Sequence, residues 1–272
     1  MGIFVRHLNA AGLFAIDIVE IRILLGCLFV GLYLAITDRS LLRIRLKDIW
    51  CFLGTGILSL LFFSWCYFTG MTAASLSVMS VLLYTSPAFV LIMCVLLFKE
   101  KLTKVKVLAI ALNLAGCALV SGLGVSAEIG VKGLLLGLGA GFGYALYSIF
   151  SRCAISRRYS SWTITFYTFF FCAFGGAFLA DWKNIGTALS TDPALLLWAS
   201  VMALLTGFFA YVLYTKGLEG LRASYAAIVV SVEPVTATVF GTILFKEPLT
   251  AAMLAGIVLM LAGIAVMSLA DG

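Results

Sequence analysis

Charged side chains are scarce in this sequence. Asp, Glu, Lys and Arg make up 11% of the 272 residues, whereas 63% are hydrophobic, and the mean hydropathy is +1.16. A soluble domain carries about 25% charged residues, so this chain has too few to cover its apolar surface in water. Lipid is the alternative solvent. Because a transmembrane helix needs roughly 20 apolar residues and such runs recur here, the composition predicts an all-α polytopic membrane protein.

Residues that build catalytic and metal sites are also sparse. The chain has one histidine, His7, and neither an HExxH nor a GxSxG motif, which argues strongly against an intramembrane enzyme. The seven cysteines form no CxxC pair and nearly all fall in apolar runs, so neither a disulfide framework nor a zinc site is indicated. No cofactor is expected.

The net charge of +6 does not indicate nucleic-acid binding. The basic residues stand in short groups between apolar runs, as in the cytoplasmic loops of membrane proteins, and not on one water-exposed face. The lipid bilayer is therefore the expected partner. Nine runs are long enough to span it and lie at 18–36, 49–69, 77–98, 105–122, 132–150, 162–180, 195–216, 224–245 and 251–269.

One charged stretch occurs twice. LFKEKLT at 97–103 and LFKEPLT at 244–250 agree in six of seven letters at an offset of 147. Chance similarity between apolar helices seldom preserves proline, glycine and a charged turn together, so we interpret the chain as a tandem duplication with halves 1–122 and 131–272. The same offset relates Tyr67 to Tyr214, Ser77 to Ser224, Pro87 to Pro234 and Gly116 to Gly263.

The second half holds five apolar runs and the first half only four. Phe4-Val5-Arg6 resembles Phe150-Ser151-Arg152, yet only five residues precede Arg6. We therefore expect the first helix to be cut short by roughly 14 residues, given about 20 per span, through a misassigned start or a truncated gene. Five helices per half would place the second repeat in the membrane upside down. The expected fold is a ten-helix, 5+5 inverted-repeat bundle.

The loop charges agree with this plan. If both ends of a ten-helix chain are cytoplasmic, most of the 18 Lys and Arg residues fall in the inside loops, as the positive-inside rule requires. LFKEKLT then lies on the cytoplasmic face and LFKEPLT on the opposite face.

This organisation resembles the drug/metabolite transporter superfamily, in particular its EamA-type members with two tandem domains. One matching feature is Arg22. The others are the repeated turn, the Leu-Ala-Gly helix endings, and the pairs in the fourth helix of each half, Ser86-Pro87 and Glu233-Pro234. The resemblance implies a secondary transporter in a prokaryotic inner membrane that exports small metabolites such as amino acids by alternating access around a central cavity. It leaves a proton, a counter-substrate and a homodimer partner open. A non-transporting sensor or scaffold, or an inactive truncated copy, is the alternative.

Glu233 lies well inside the run 224–245, and its repeat partner Ser86 is neutral. An acid at this depth costs roughly 2.5–3.5 kcal/mol on insertion scales and usually faces a cavity or a partner. Pro234 removes a backbone donor, which can kink the helix and free carbonyls to face a cavity. One hypothesis is that Glu233 binds a proton or a cationic substrate group. The other is that a protonated Glu233 hydrogen-bonds to a neighbouring helix.

Further candidate residues have two interpretations each. Arg22, expected at the start of the second helix, pairs with another helix or a substrate carboxylate, or anchors the helix at the interface. The turn residues are interfacial helix ends whose charges reach water, or part of a gate: Lys99, Glu100, Lys246 and Glu247. The cavity candidates, with ordinary packing as the alternative, are Tyr84, Ser86, Pro87, Trp65, Tyr147 and Tyr211.

Glycines recur at four-residue spacing in the sixth helix, at Gly133, Gly137 and Gly141. Small residues at this spacing allow two helices to approach closely. The pattern predicts a packing face within the bundle, with a sliding surface for alternating access as the second interpretation.

Overall fold

The computed structural model describes residues 2–121, 130–245 and 249–271, and every regular element in these ranges is helical. Two π-helical segments, Gly54–Leu61 and Ala203–Phe209, interrupt long helices, and 3₁₀ turns occupy Arg39–Leu42 and Leu46–Asp48. The α-helices are α1 Gly2–Ala10, α2 Ala15–Thr37, α3 Ile49–Leu53, α4 Phe62–Gly70, α5 Leu76–Leu83, α6 Ser86–Phe98, α7 Lys104–Val120, α8 Val131–Ser156, α9 Ser161–Gly176, α10 Trp182–Thr191, α11 Ala194–Met202, α12 Ala210–Gly220, α13 Ala223–Val229, α14 Val232–Phe245 and α15 Ala251–Asp271.

Seven helical segments in the described residues are long and apolar enough to cross a membrane. The sequence predicted nine full spans, and the two that differ are α7 and α9, which have 17 and 16 residues. Both are apolar but short, because they end before the predicted runs do: α7 ends at Val120 with Ser121 as its C-cap, and α9 ends at Gly176 with Ala177 as its C-cap. At 1.5 Å per residue they measure roughly 25 Å. The seven segments are Ala15–Thr37, Leu46–Gly70, Ser77–Phe98, Val131–Ser156, Ala194–Gly220, Ala223–Phe240 and Ala251–Leu269.

The chain folds into two compact units, and each takes segments from both halves of the sequence. The first unit comprises Met1–Phe68 and Phe150–Gly220, and the second comprises Thr69–Ile149 and Leu221–Gly272. Neither unit therefore corresponds to one repeat. Segments that are far apart in the sequence pack together within each unit.

In the first unit, α2 packs along α9. Val19, Ile23 and Leu34 of α2 share an apolar cluster with Phe169 and Cys172 of α9, and all five are less than 5% exposed. Thr168 of α9 donates a hydrogen bond to Thr55, which lies in the first π-helical segment. The offset of 147 places this segment over 201–208, so the two π-helical segments occupy nearly equivalent positions in the two halves.

At one end of the first unit, the loop before α3 meets the loop after α8. The carboxylate of Asp48 accepts hydrogen bonds from Arg45 Nε at 2.8 Å and the Tyr159 hydroxyl at 2.9 Å, and it pairs with Arg157 Nε at 3.0 Å. The Tyr159 hydroxyl and the Asp48 carboxylate raise the pKa of the Arg45 guanidinium further, so this cation stays charged. Nearby, Ser161 N donates to Glu219 at 2.9 Å.

At the other end of this unit, the start of α2 meets the start of α10. Asp17 is fully buried and accepts hydrogen bonds from Phe14 N, Asp181 N and the Asn184 side chain. Asn184 also donates to Gly12 O at 3.1 Å. A single carboxylate therefore joins the two loops through backbone and side-chain donors.

The second unit is centred on the crossing of α7 and α15. A Cβ on Gly116 would lie 2.6 Å from Gly256 O, and a Cβ on Gly263 would lie 2.8 Å from Ala109 O. As the residue number falls along α7 it rises along α15, so these repeat-equivalent helices run antiparallel. The offset of 147 converts one contact pair into the other, which shows that the crossing has two-fold pseudosymmetry.

The glycine face of α8 packs on the segment from the end of α4 through α5. Cβ atoms on Gly133, Gly137 and Gly141 would meet Ala74, Leu82 and Thr85 respectively, at less than 3 Å. The predicted packing face is therefore present in the second unit, and its glycines allow backbones to approach within contact distance.

Replacing Gly116 by Ala should destabilise the protein by about 1–3 kcal/mol, because the added methyl overpacks the α7–α15 crossing. Gly217→Ala is the matched control: it lies in α12 with no atom within 4 Å of the new Cβ, and it should stabilise by about 0.5–1 kcal/mol through lower unfolded-state entropy. Thermal unfolding of both variants in detergent tests this. Shifts of the same sign would contradict the packing described.

Candidate functional site

Two repeat-equivalent helices of the second unit are broken in the middle. A turn at Tyr84 and Thr85 separates α5 from α6, and a turn at Val230 and Ser231 separates α13 from α14. Under the offset of 147 the two breaks coincide to within one residue, and each is followed by a proline, Pro87 or Pro234. Discontinuous helices at corresponding positions of two halves mark the binding site in many transporter folds.

The broken turns satisfy their own backbone groups. Glu233 N donates to Val230 O at 2.9 Å, which is the carbonyl that Pro234 cannot reach. In the first half, Thr85 donates to Leu82 O through both its N–H and its hydroxyl. The expectation that Pro234 frees a carbonyl for a cavity is therefore wrong for Val230, because a tighter i to i+3 bond replaces the missing helical one.

A buried polar pair lies at the break between α13 and α14. Asn113 of α7 donates to the Ser231 hydroxyl at 2.9 Å, and both residues are at most 1% exposed. Asn113 Oδ1 receives no hydrogen bond from any described residue. The repeat equivalents of Asn113 and Ser231 are Met260 and Tyr84, and Tyr84 packs against the cluster containing Met260. The contact between α7 and the α13–α14 break is thus a hydrogen bond, whereas at the equivalent contact between α15 and the α5–α6 break Tyr84 packs against an apolar cluster.

Sequence reasoning missed both members of this pair. The available signal was Asn113 itself, an amide inside the apolar run 105–122 whose repeat partner is a methionine. Ser231 had no comparable signal, because a lone serine is common in membrane helices.

Glu233 lies in the first turn of α14, directly after the break, and its side chain is exposed. The partial positive charge of a helix N-terminus favours an anion at this position. Ser86, Pro87 and Pro234 are buried within the second unit. Glu233 therefore offers an accessible carboxylate next to the break, whereas Ser86 and the two prolines are packed against neighbouring residues.

The remaining cavity candidates are divided between the units. Tyr147 lies in the second unit and is 6% exposed. Trp65 and Tyr211 lie in the first unit, where Trp65 is 46% exposed and Tyr211 packs edge-on against Phe169.

Arg22 also belongs to the first unit, and its expected position is corrected. It is the eighth residue of α2 and is 5% exposed, so it does not stand at the helix start. The helix begins at Ala15 because Phe14 is its N-cap residue, whose N–H donates to the Asp17 carboxylate in the first turn. The interfacial-anchor interpretation loses its geometric basis.

The turn LFKEKLT closes around a buried ion pair. Lys106 Nζ lies 3.1 Å from Glu100 Oε2, the Ser224 hydroxyl donates to the same oxygen at 2.8 Å, and Lys106 is 1% exposed. The expectation that the Glu100 carboxylate reaches water is therefore wrong. Lys99 ends α6 in the left-handed region, at φ 55°, and Thr103 caps α7 by accepting from Lys106 N.

The second turn shares one of these features in the described residues. Thr250 accepts from Met253 N and so caps α15 as Thr103 caps α7. The equivalent of Lys106 is Met253, so the buried cation belongs to the first half alone. Lys246 and Glu247 lie outside the described residues.

The model of the EamA-like transporter family matches this chain over residues 1–122 and 131–269. An uncharacterized transporter of Bacillus subtilis, YvbV, is 28% identical over 253 residues, covering 90% of this chain and 79% of the relative. An uncharacterized transporter of Archaeoglobus fulgidus is 28% identical over 198 residues, covering 73% and 69%. A solved crystal structure aligns with a TM-score of 0.77 and 16% identity over 97% of this chain and 90% of that chain, which shows the fold alone.

Replacing Lys106 by Met, the residue of the second half, should destabilise the protein by about 3–5 kcal/mol, because the buried Glu100 carboxylate loses its cation. The double variant Glu100→Gln with Lys106→Met should recover most of this loss. A double-mutant cycle measured by chemical unfolding in detergent gives the coupling energy. Additive effects of the two substitutions would contradict a buried ion pair.

Proposed function

This chain belongs to the EamA-like transporter family, and from that premise we propose that it is a secondary transporter that exports small metabolites such as amino acids by alternating access. The coarser conclusion, an integral membrane protein of a transporter family, follows from the family match and the seven apolar spans. The relatives named above are also described as transporters.

The observation that carries the proposal is the pair of broken helices in the second unit. Both breaks precede a proline at the same position of the repeat, and only the second is followed by an acid, Glu233. A repeated fold in which one half carries a carboxylate and the other does not suits a solute whose two ends differ.

A ten-helix plan with two oppositely oriented repeats is part of the proposal. The antiparallel crossing of α7 and α15, which are repeat equivalents, supports it. The loops also pair consistently within each unit. Segments assigned to the cytoplasm meet each other at Asp48 and Arg157, at Ser161 and Glu219, and at Glu100 and Ser224.

Segments assigned to the opposite face likewise meet each other. Asp17 bonds to Asp181 and Asn184, and Gly133 packs on the Ala73 carbonyl. Each of these contacts joins two segments assigned to the same side of the membrane. In this plan α7 and α9 span the bilayer as short helices, with local thinning or flanking polar residues making up the difference.

Glu233 has the central role in this mechanism. At the start of α14 its carboxylate binds a proton or the cationic group of the substrate, and Tyr84 lies at the equivalent break of the first half. A prokaryotic inner membrane and a homodimer complete the proposal.

Purified protein in vesicles loaded with mixed amino acids, with labelled amino acids outside and an imposed pH gradient, tests the function. We expect exchange of a defined amino acid. A folded protein that exchanges none of them would favour the alternatives of a sensor, a scaffold or an inactive copy over an amino acid exporter.

Glu233→Gln should abolish coupled transport while leaving thermal stability nearly unchanged, because the amide keeps the size of this exposed side chain and removes its charge. Thr236→Ser, one turn further along α14 and also exposed, is the matched control: it keeps the hydroxyl that donates to Glu233 O and should transport at the wild-type rate. Wild-type rates and pH dependence in Glu233→Gln would remove Glu233 from the mechanism.

A further inference from the structure

A second acid lies deep in the first unit. Glu20 is the sixth residue of α2, inside the span Ala15–Thr37, and it is 3% exposed. Its Oε1 receives no hydrogen bond from any residue that the structure describes. A buried carboxylate without donors carries a large desolvation cost, whereas the neutral acid carries a much smaller one.

The space for this carboxyl is provided by a glycine. A Cβ on Gly176, the last residue of α9, would collide with Glu20 Oε2. The same Cβ would lie 3.7 Å from a methyl of Leu61, and Cys172 and Ala173 on the preceding turn of α9 are buried in an apolar cluster. The acid is therefore enclosed by apolar groups and fitted to a cleft that only glycine leaves open.

The elements packed against α2 bring few charges to this cleft. By sequence, α9, α11 and the second π-helical segment contain no Asp, Glu, Lys, Arg or His. The titratable groups on α9 are Tyr167 and Cys172, which are ordinarily neutral near pH 7. The charged or titratable residues on the neighbouring ends are Arg6 and His7 of α1, Asp181 and Lys183 at the start of α10, and Arg39 of the 3₁₀ turn at the far end of α2.

The titratable groups on α2 itself are Asp17, Arg22, Cys27 and Tyr33. Asp17 is occupied by three nitrogen donors. Arg22 stands two positions from Glu20, and residues two apart point to different sides of a helix. Glu20 and Arg22 both act electrostatically on the Cys172 thiol, so Arg22 is a cation of this neighbourhood. The ion pairs described in this unit involve Asp48 and not Glu20.

We infer that Glu20 is a proton-binding site: its carboxyl holds a proton while enclosed against Gly176 and releases it to water when this cleft opens. In the release step the carboxyl O–H bond breaks, the proton joins a water molecule to form hydronium, and the electron pair stays on the carboxylate. The inference rests on the proposed transport function for the opening step, and it assigns the coupling ion as a proton. Glu233 then serves the substrate.

Infrared difference spectra of the purified protein in bilayers, recorded across a pH series, test proton binding without any transport. We expect a protonated-carboxyl C=O band that disappears as the pH rises and is absent in Glu20→Gln. The exposed acid variant Asp192→Asn should keep the band. Identical difference spectra for the wild type and Glu20→Gln would overturn the inference.

Two glycine substitutions test the same band without changing Glu20, in case Glu20→Gln does not fold. Gly176→Ala should change the frequency of the band, because the methyl displaces the carboxyl. Gly186→Ala in α10 should leave it unchanged, because its Cβ meets no atom within 4 Å. An unchanged band in Gly176→Ala would show that the titrating group is not the enclosed Glu20.

Transport of labelled amino acids separates the coupling role from the proposed function. Glu20→Gln should lose accumulation driven by a pH gradient and retain exchange of amino acid for amino acid. Gradient-driven accumulation that survives in Glu20→Gln would overturn the inference while leaving the transporter proposal intact. If the wild type transports nothing, the transporter proposal and the coupling role fail together, and the infrared band alone decides whether Glu20 binds a proton.

Discussion

The absence of water in the bilayer core is the constraint on which this structure depends. A backbone or side-chain polar group within a span must find its partner inside the protein, and the described elements are accordingly helical. Where a helix is broken, as before Glu233, a tighter backbone bond replaces the missing one. Where a charge enters the packed interior, as at Lys106, the carboxylate of Glu100 meets it, and the Ser224 hydroxyl donates to that carboxylate. Glu20 Oε1, like Asn113 Oδ1, has no hydrogen-bond partner among the described residues.

The duplication accounts for the helix packing and capping that the two halves share. The positions where the halves differ carry the charged and amide side chains. Glycines 116 and 263 make equivalent contacts in the α7–α15 crossing, and threonines 103 and 250 cap equivalent helices. These positions serve the fold in both halves. The pairs that differ, Ser86 with Glu233, Asn113 with Met260 and Lys106 with Met253, introduce a charge or an amide into one half only. Of these groups Glu233 is exposed, whereas Asn113 and Lys106 are buried.

The sequence predicted the features that each segment specifies by itself. Apolar runs identified the spans, the repeated turn identified the duplication, and the glycine spacing identified the packing face of α8. It did not predict which side chains are enclosed, because that depends on the neighbouring helix. The charge pattern does not distinguish Lys106 from a loop cation, yet it is buried against Glu100. Arg22 was placed at a helix start, yet two turns of α2 precede it. Asp48, Asn113 and Glu20 gained significance only from partners more than 100 residues away in the sequence.

Opposite orientation of the two repeats is the central claim, and two equivalent leucines test it most directly. Leu102 and Leu249 are related by the offset of 147 and are 60% and 41% exposed in the two turns. Each is replaced by Cys, and a membrane-impermeant thiol reagent is added to intact cells, with the parent protein reporting background labelling of its own cysteines. The account predicts that Leu249→Cys is labelled in intact cells and Leu102→Cys only after permeabilisation. Labelling of both from the same side would contradict it.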